Sequence, residues 1–170
     1  MYTMKALFIG RFQPFHKGHL KIIQDSSEKY DEVIIGIGSS QHGHALENPF
    51  TSDERKLMIK KSLEKVGITN YRIVLIPDIH NPPKWADHVL SIVSDFDVVL
   101  SNSPLTRQLF LEKKYAVEET PLYNKKEYSG KEIRRRIIKD EPWKDSVPLE
   151  VFNIINENDG IRRLKKLSEK

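Results

Sequence analysis

Four short apolar runs punctuate the first hundred residues of this chain, and the stretches between them carry helical patterns. The runs are Lys5–Gly10, Glu32–Gly38, Tyr71–Ile76 and Asp97–Ser101. Each is rich in Val, Ile or Leu without clean alternation, as a strand buried on both faces reads. Tyr115–Glu118 predicts a fifth, shorter strand. A first helix is expected over about Gly18–Lys29, with Leu20, Ile23 and Tyr30 on one side. A second covers Ser52–Val66, with Ile59, Leu63 and Val66 together, and opens on the capping-box pair Thr51 and Glu54. A third runs from Lys84 to about Val93, and a fourth from Ser103-Pro104, an N-cap followed by proline at the first helical position, to about Lys113. Strand–helix alternation of this kind calls for parallel strands joined by right-handed crossovers, an α/β doubly wound sheet.

Beyond the fifth strand the pattern changes. Tyr123–Tyr128 reads as a polar loop, and helices follow at about Gly130–Lys139, Leu149–Asn158 and Ile161–Leu167, with Gly160 as the break between the last two. The expectation is one domain over residues 1–170, a sheet core to about 120 and a helical part from about 128. No apolar run approaches the ~20 residues needed to cross a bilayer. Met1–Lys5 shows no signal-peptide core, so the reading is cytoplasmic, with no membrane partner. There is no cysteine, which excludes disulfides, thiolate zinc sites and a cysteine nucleophile. The net charge of +4 suits a small anionic substrate as well as it suits nucleic acid. Basic residues cluster at Arg134-Arg135-Arg136 and at Arg162-Arg163 with Lys165-Lys166. A nucleic-acid binder more often shows a long basic stripe with interleaved aromatics, so these clusters read first as solvated helix faces, with RNA binding as the alternative.

The loop Gly10-Arg11-Phe12-Gln13-Pro14-Phe15-His16-Lys17-Gly18-His19 lies at the carboxyl end of the first strand, where doubly wound sheets bind ligands. Gly10 permits close backbone approach. Pro14 biases Gln13 toward an extended conformation. The helix starting near Gly18 offers unpaired N–H groups to an anion, and His16 and His19 stand beside that terminus. Ordinary packing is the competing reading of the two histidines. Zinc needs at least one more ligand, and His42, His44, His80 and His88 have no recognisable metal spacing with them, so no metal site is expected. The loop is neither a P-loop nor a dinucleotide-binding glycine pattern.

His16-Lys17-Gly18-His19 resembles the HxGH signature of the nucleotidylyltransferase superfamily. Tyr128-Ser129-Gly130-Lys131-Glu132-Ile133-Arg134 resembles its second signature, more than 100 residues downstream. With Gly38-Ser39-Ser40-Gln41, Asn48-Pro49-Phe50-Thr51, Glu54-Arg55, Pro77-Asp78-Ile79, Trp85 and Ser101-Asn102, essentially the whole chain is similar to the archaeal nicotinamide-nucleotide adenylyltransferases. One departure is Lys131, where the family usually has threonine; the lysine either adds charge near a triphosphate or points to solvent.

The resemblance implies a Rossmann-like nucleotidylyltransferase fold with C-terminal helices. It implies adenylyl transfer from ATP to nicotinamide mononucleotide, giving NAD and pyrophosphate, with Mg²⁺ carried on ATP, and a homo-oligomer such as a hexamer. By the same resemblance His16, His19 and Arg11 are the catalytic candidates. Gly10, Arg11, Phe12, His16, Gly18, His19, Asn102, Ser129, Gly130, Ile133 and Arg134 would meet ATP, while Ser39, Gln41, Phe50, Asp78, Ile79 and Trp85 would meet the mononucleotide. Trp85 could stack on a pyridinium ring or anchor the core. Ser129 with Glu132 makes a second capping-box pattern, so Ser129 could cap its helix, line a phosphate site, or both. Flavin mononucleotide or phosphopantetheine as acceptor, and a regulatory module that binds nucleotide without turnover, are the alternatives.

Overall fold

The computed structural model describes residues 3–121 and 123–170; Met1 and Tyr2, part of the N-terminal stretch read above, and Leu122 lie outside it. Five strands, β1 (Lys5–Gly10), β2 (Glu32–Gly38), β3 (Tyr71–Ile76), β4 (Val98–Leu100) and β5 (Ala116–Glu118), form one sheet in the order β3-β2-β1-β4-β5. Every pairing is parallel, with Lys5 opposite Glu32 and Ala6 opposite Val98. The helices are α1 (Lys17–Lys29), α2 (Ser52–Lys65), α3 (Trp85–Ile92), α4 (Pro104–Glu112), α5 (Gly130–Ile138), α6 (Leu149–Glu157) and α7 (Gly160–Ser168).

Alternate residues of each strand feed two separate cores. Ala6, Phe8, Val33, Ile35 and Ile37 face the side covered by α1, α2 and the three C-terminal helices. Leu7, Ile34 and Val99 face the side covered by α3 and α4. A fully buried Leu, Ile or Val contributes roughly 1.5–3 kcal/mol, so a sheet covered on both faces explains why the strands lack polar alternation. The chain winds outward from β1 to β3, returns across the sheet, and continues from β4 to β5. The order therefore reverses between β1 and β4, and the loops at the carboxyl ends of those strands open a crevice there.

The first three strands match their predicted limits, while β4 is three residues rather than five and β5 starts one residue late. The Thr51–Glu54 capping box is made in both directions, at 2.9 and 3.2 Å. Two local expectations are corrected. Val66, placed on the apolar face of α2, is 41 % exposed just beyond the helix end. Gly160 is not the break between α6 and α7: it is the first residue of α7, and the turn is made at Asp159, in the left-handed region at φ 64°. Gly160 is needed for a different reason, since a Cβ there would lie 3.0 Å from the Phe50 ring. Among the described residues no helix is long and apolar enough to cross a membrane.

Candidate active site

The loop after β1 is folded inward on its aromatic residues. Phe12 holds a left-handed backbone, φ 55°, and Phe12 and Phe15 are buried. The Phe12 ring meets the His19 ring edge-on at 4.7 Å, and Phe15 stacks on His19 at 5.6 Å. Phe12 therefore backs the site from beneath, its side chain buried against His19.

His16 and His19 cap α1 reciprocally. The His19 N–H donates to His16 Nδ1 at 3.3 Å, and the His16 N–H donates to His19 Nδ1 at 3.2 Å. The rings stack with centroids 3.5 Å apart. An Nδ1 that accepts from a backbone N–H carries no proton, so each neutral ring bears its hydrogen on Nε2. Burial holds His16 neutral, its pKa pushed down to about 3. His19 is lowered by burial and then by the neighbouring His16. The pair is thus two fixed, uncharged N–H donors at the carboxyl end of β1. Two histidines at this spacing do not look like a capping box, which is normally read from Ser or Thr followed by Glu or Gln.

A cleft of about 300 Å³ brings the two distant motifs together: Gly10, His16, Gly18 and His19 line it with Tyr128, Ser129 and Gly130. Ser129 Oγ accepts from the Glu132 N–H at 3.1 Å and caps α5. The second half of the expected box is absent, because Glu132 turns away to pair with Arg135 and Arg136. Gly130 sits so close to the first loop that a Cβ would stand 3.0 Å from the Gln13 carbonyl oxygen. Ile133 is fully buried in the core, where its side chain holds α5 in place.

Positive charge converges beside this cleft. Arg134 Nη1 donates to the Gln13 carbonyl at 2.7 Å, and burial, then Arg11, lowers its pKa. Arg11 is exposed and lines a neighbouring hollow of about 400 Å³ with Lys131, Arg134 and Arg135. Lys131 thus adds charge next to Arg11. Such guanidinium groups suit the oxygens of a polyphosphate.

The other half of the crevice forms around Asp78. Ser39 Oγ donates to Asp78 Oδ2 at 2.6 Å, and His42 Nε2 lies 3.7 Å from the same oxygen. Asp78, Ile79 and Trp85 border a hollow of about 410 Å³ with Asn81, Leu105 and Thr106. Trp85 is half-buried, packing against the α3–α4 core while bordering this hollow.

Three amides expected or available near ligands serve as backbone clamps. Gln41 donates to the Asp78 carbonyl and accepts from the Asp78 N–H, both at 3.0 Å. Asn102 does the same to Thr120, at 2.6 and 2.8 Å, which ties the end of β4 to the loop after β5. Gln13, which sequence reasoning left unassigned, clamps Phe50 at 2.9 Å in both directions. Phe50 is consequently buried with its backbone engaged, and it does not border the Asp78 hollow.

Residues 7–136 match the sequence model of the cytidylyltransferase-like family. The nicotinamide-nucleotide adenylyltransferase of Methanococcus vannielii is 51% identical over 167 residues, 98% of this chain and 96% of that one. The enzyme of the same name from Thermoplasma acidophilum is 48% identical over 164 residues, 96% of this chain and 92% of that one. A crystal structure of a bifunctional NMN adenylyltransferase/ADP ribose pyrophosphatase from Francisella tularensis, complexed with AMP and a manganese ion, superposes with a TM-score of 0.72. At 23% identity that likeness shows a shared fold, over 98% of this chain and 56% of the longer one. With near-full-length identity around one half and both signature motifs lining one cleft, the chain belongs to the nicotinamide-nucleotide adenylyltransferases.

Proposed function

We infer that this chain transfers the adenylyl group of ATP to nicotinamide mononucleotide, giving NAD and pyrophosphate. A phosphate oxygen of the mononucleotide forms a bond to the α-phosphorus, and the bond from that phosphorus to the bridging oxygen breaks, its electron pair leaving with pyrophosphate. The nucleophile is already an anion at neutral pH, so no general base is required. The protein's task is to align two anions and stabilise charge as pyrophosphate departs.

The observation that carries this reading is the reciprocal histidine cap facing Ser129 and Gly130 across one cleft. Neutral Nε2–H donors and the free N–H groups at the start of α5 suit phosphate oxygens without adding a titratable charge. Arg11 and Arg134 supply fixed charge, with Lys131 on the rim. On the acceptor side, Trp85 would stack on the pyridinium ring while Asp78, oriented by Ser39, accepts hydrogen bonds from the ribose or carboxamide. Ile79 would border the ring.

ATP is read as entering as its Mg²⁺ complex, the cation offsetting phosphate charge. Among the described residues no group of three His, Asp or Glu side chains is placed to hold an ion, so the cation is treated as part of the substrate. A homo-oligomer belongs to the same reading, and light scattering on the purified chain checks it.

The test offers purified protein ATP with nicotinamide mononucleotide, flavin mononucleotide or phosphopantetheine. NAD formation with kcat/KM at least tenfold above either alternative acceptor is the expected result. Equal rates with all three would sink the acceptor assignment, and no pyrophosphate release with any would sink the reaction.

A further inference from the structure

Arg55 is fully buried at the first turn of α2, yet it faces no carboxylate in any ion pair among the described residues. All five of its N–H donors go to backbone carbonyls. Nε donates to Thr51 at 3.2 Å. Nη1 donates to Arg11 at 2.9 Å and Gly38 at 2.8 Å. Nη2 donates to Ser39 and His42, both at 3.1 Å. Arg11 follows β1 and opens the loop to the histidine cap, whereas Gly38, Ser39 and His42 belong to the end of β2 and the loop that orients Asp78. One rigid fork thus spans two loops that no backbone ladder joins beyond Gly10 and Ile37.

We propose that Arg55 is a positioning residue for adenylyl transfer, its guanidinium fixing the separation between the phosphate-binding loop after β1 and the acceptor-binding loop after β2. The proposal rests on the assignment of ATP to the first loop and the mononucleotide to the second. Burying a cation with no carboxylate in direct contact is unfavourable; Asp78 and Glu54 favour its charge only from a distance, and hydrogen-bonded carbonyl dipoles supply the direct compensation while all five contacts are kept. The guanidinium remains charged at neutral pH, its pKa lowered to about 10 chiefly by burial and then by Arg11. Lysine at this position keeps the charge but has three donors on one nitrogen, so it cannot keep all five carbonyl contacts of the planar fork.

Because the fork joins two half-sites rather than building either, its loss should act on ligands that span both. In Arg55→Lys, kcat should fall by about 100-fold, as expected when reacting groups are displaced by a fraction of an ångström to an ångström. The Kd values for AMP alone and for nicotinamide mononucleotide alone should stay within about threefold of the parent, while the Kd for NAD, which spans both, should rise by at least about tenfold. Arg55→Met, which keeps the apolar stem, should show the same split with a larger kcat loss. Both variants are compared at a temperature where their near-ultraviolet circular dichroism matches the parent. A kcat within threefold of the parent, or parallel weakening of AMP, mononucleotide and NAD, would overturn the proposal. Loss of the fold in both variants, unrecovered by saturating NAD, would assign Arg55 to stability alone and also overturn it. No NAD formation by the parent would remove the reaction itself, and the proposal with it.

Discussion

The half of the crevice proposed for the phosphates and the half proposed for the acceptor are built on opposite plans. In the first, the groups at the two helix starts are committed before any substrate arrives: both histidine Nδ1 atoms accept backbone N–H groups, Ser129 caps α5, and Arg134 grips Gln13. Donors aimed where charge develops are most effective when they need not reorganise, and a buried, uncharged imidazole is such a donor. In the second half the wall is open. Ile79, His80, Asn81 and Leu105 are exposed, and only Asp78 is held on several sides. Stabilising a transition state demands rigidity, whereas recognising a ring and a ribose is met by a few oriented groups on a looser rim.

The sharpest way to break that contrast is His19→Ala. It removes one fixed donor, and kcat should fall by about 10²–10³-fold, the range for a lost oxyanion-type donor, with ATP affinity changed far less. Unchanged turnover in stopped-flow and steady-state assays would remove the phosphate half from the chemistry. Trp85→Ala addresses the other half. It should raise the KM for the mononucleotide by about 2–30-fold, equivalent to roughly 0.5–2 kcal/mol, with kcat nearly kept. An unchanged KM would leave Trp85 as a core anchor only. Gly130→Ala pushes a Cβ toward the Gln13 carbonyl, and about a tenfold loss of ATP affinity is expected because the α5 terminus must shift. Isothermal titration with a non-hydrolysable ATP analogue checks it.

Acid tests the histidine cap as well. The folded pKa of His16, about 3, lies below its unfolded value of 6.5. The unfolded chain therefore takes up the proton first, so the stability that His16 confers is complete above pH 6.5 and is lost as pH falls from there toward 3. The slope is about 1.4 kcal/mol per pH unit for one such group. Denaturant melts between pH 7 and 4 should show it, and His16→Gln should flatten it. A wild-type profile as flat as that of the variant would argue that the histidine cap is not buried neutral. The smallest effect belongs to Val66→Lys, at an exposed position beyond α2, where a change within about 0.5 kcal/mol is expected.

The elements were readable because their signals are local. Residues buried on both faces make β2 a continuous run, and Thr51–Glu54 and Ser103-Pro104 announce their helices. The two phosphate motifs were readable because type and order suffice to recognise them. What escaped is long-range and indifferent to pattern. Gln13 and Phe50, Gln41 and Asp78, and Asn102 and Thr120 meet through backbone groups 37, 37 and 18 residues apart. A side-chain amide that clamps one remote peptide leaves no periodicity behind. Asn102 therefore read as a ligand contact and Gln13 as nothing. Arg55 was quoted among the family residues but given no role, because its partners are carbonyls of four other stretches. The histidine cap escaped for another reason: its chemistry is that of a Ser–Glu box made with imidazoles.

The three amide clamps also set how this molecule should age. Each depends on one NH₂ group facing a carbonyl, and asparagine and glutamine are among the thermolabile side chains. Hydrolysis of the exposed Asn102 amide would replace that donor with a carboxylate oxygen, turned against the Thr120 carbonyl it now holds at 2.6 Å. The tie between β4 and the segment leading to α5 would then become a repulsion. Gln13, at 2 % exposure, is shielded from the water such hydrolysis requires. Prolonged heating should therefore loosen the approach to α5 from the Asn102 side while the histidine loop still keeps its shape.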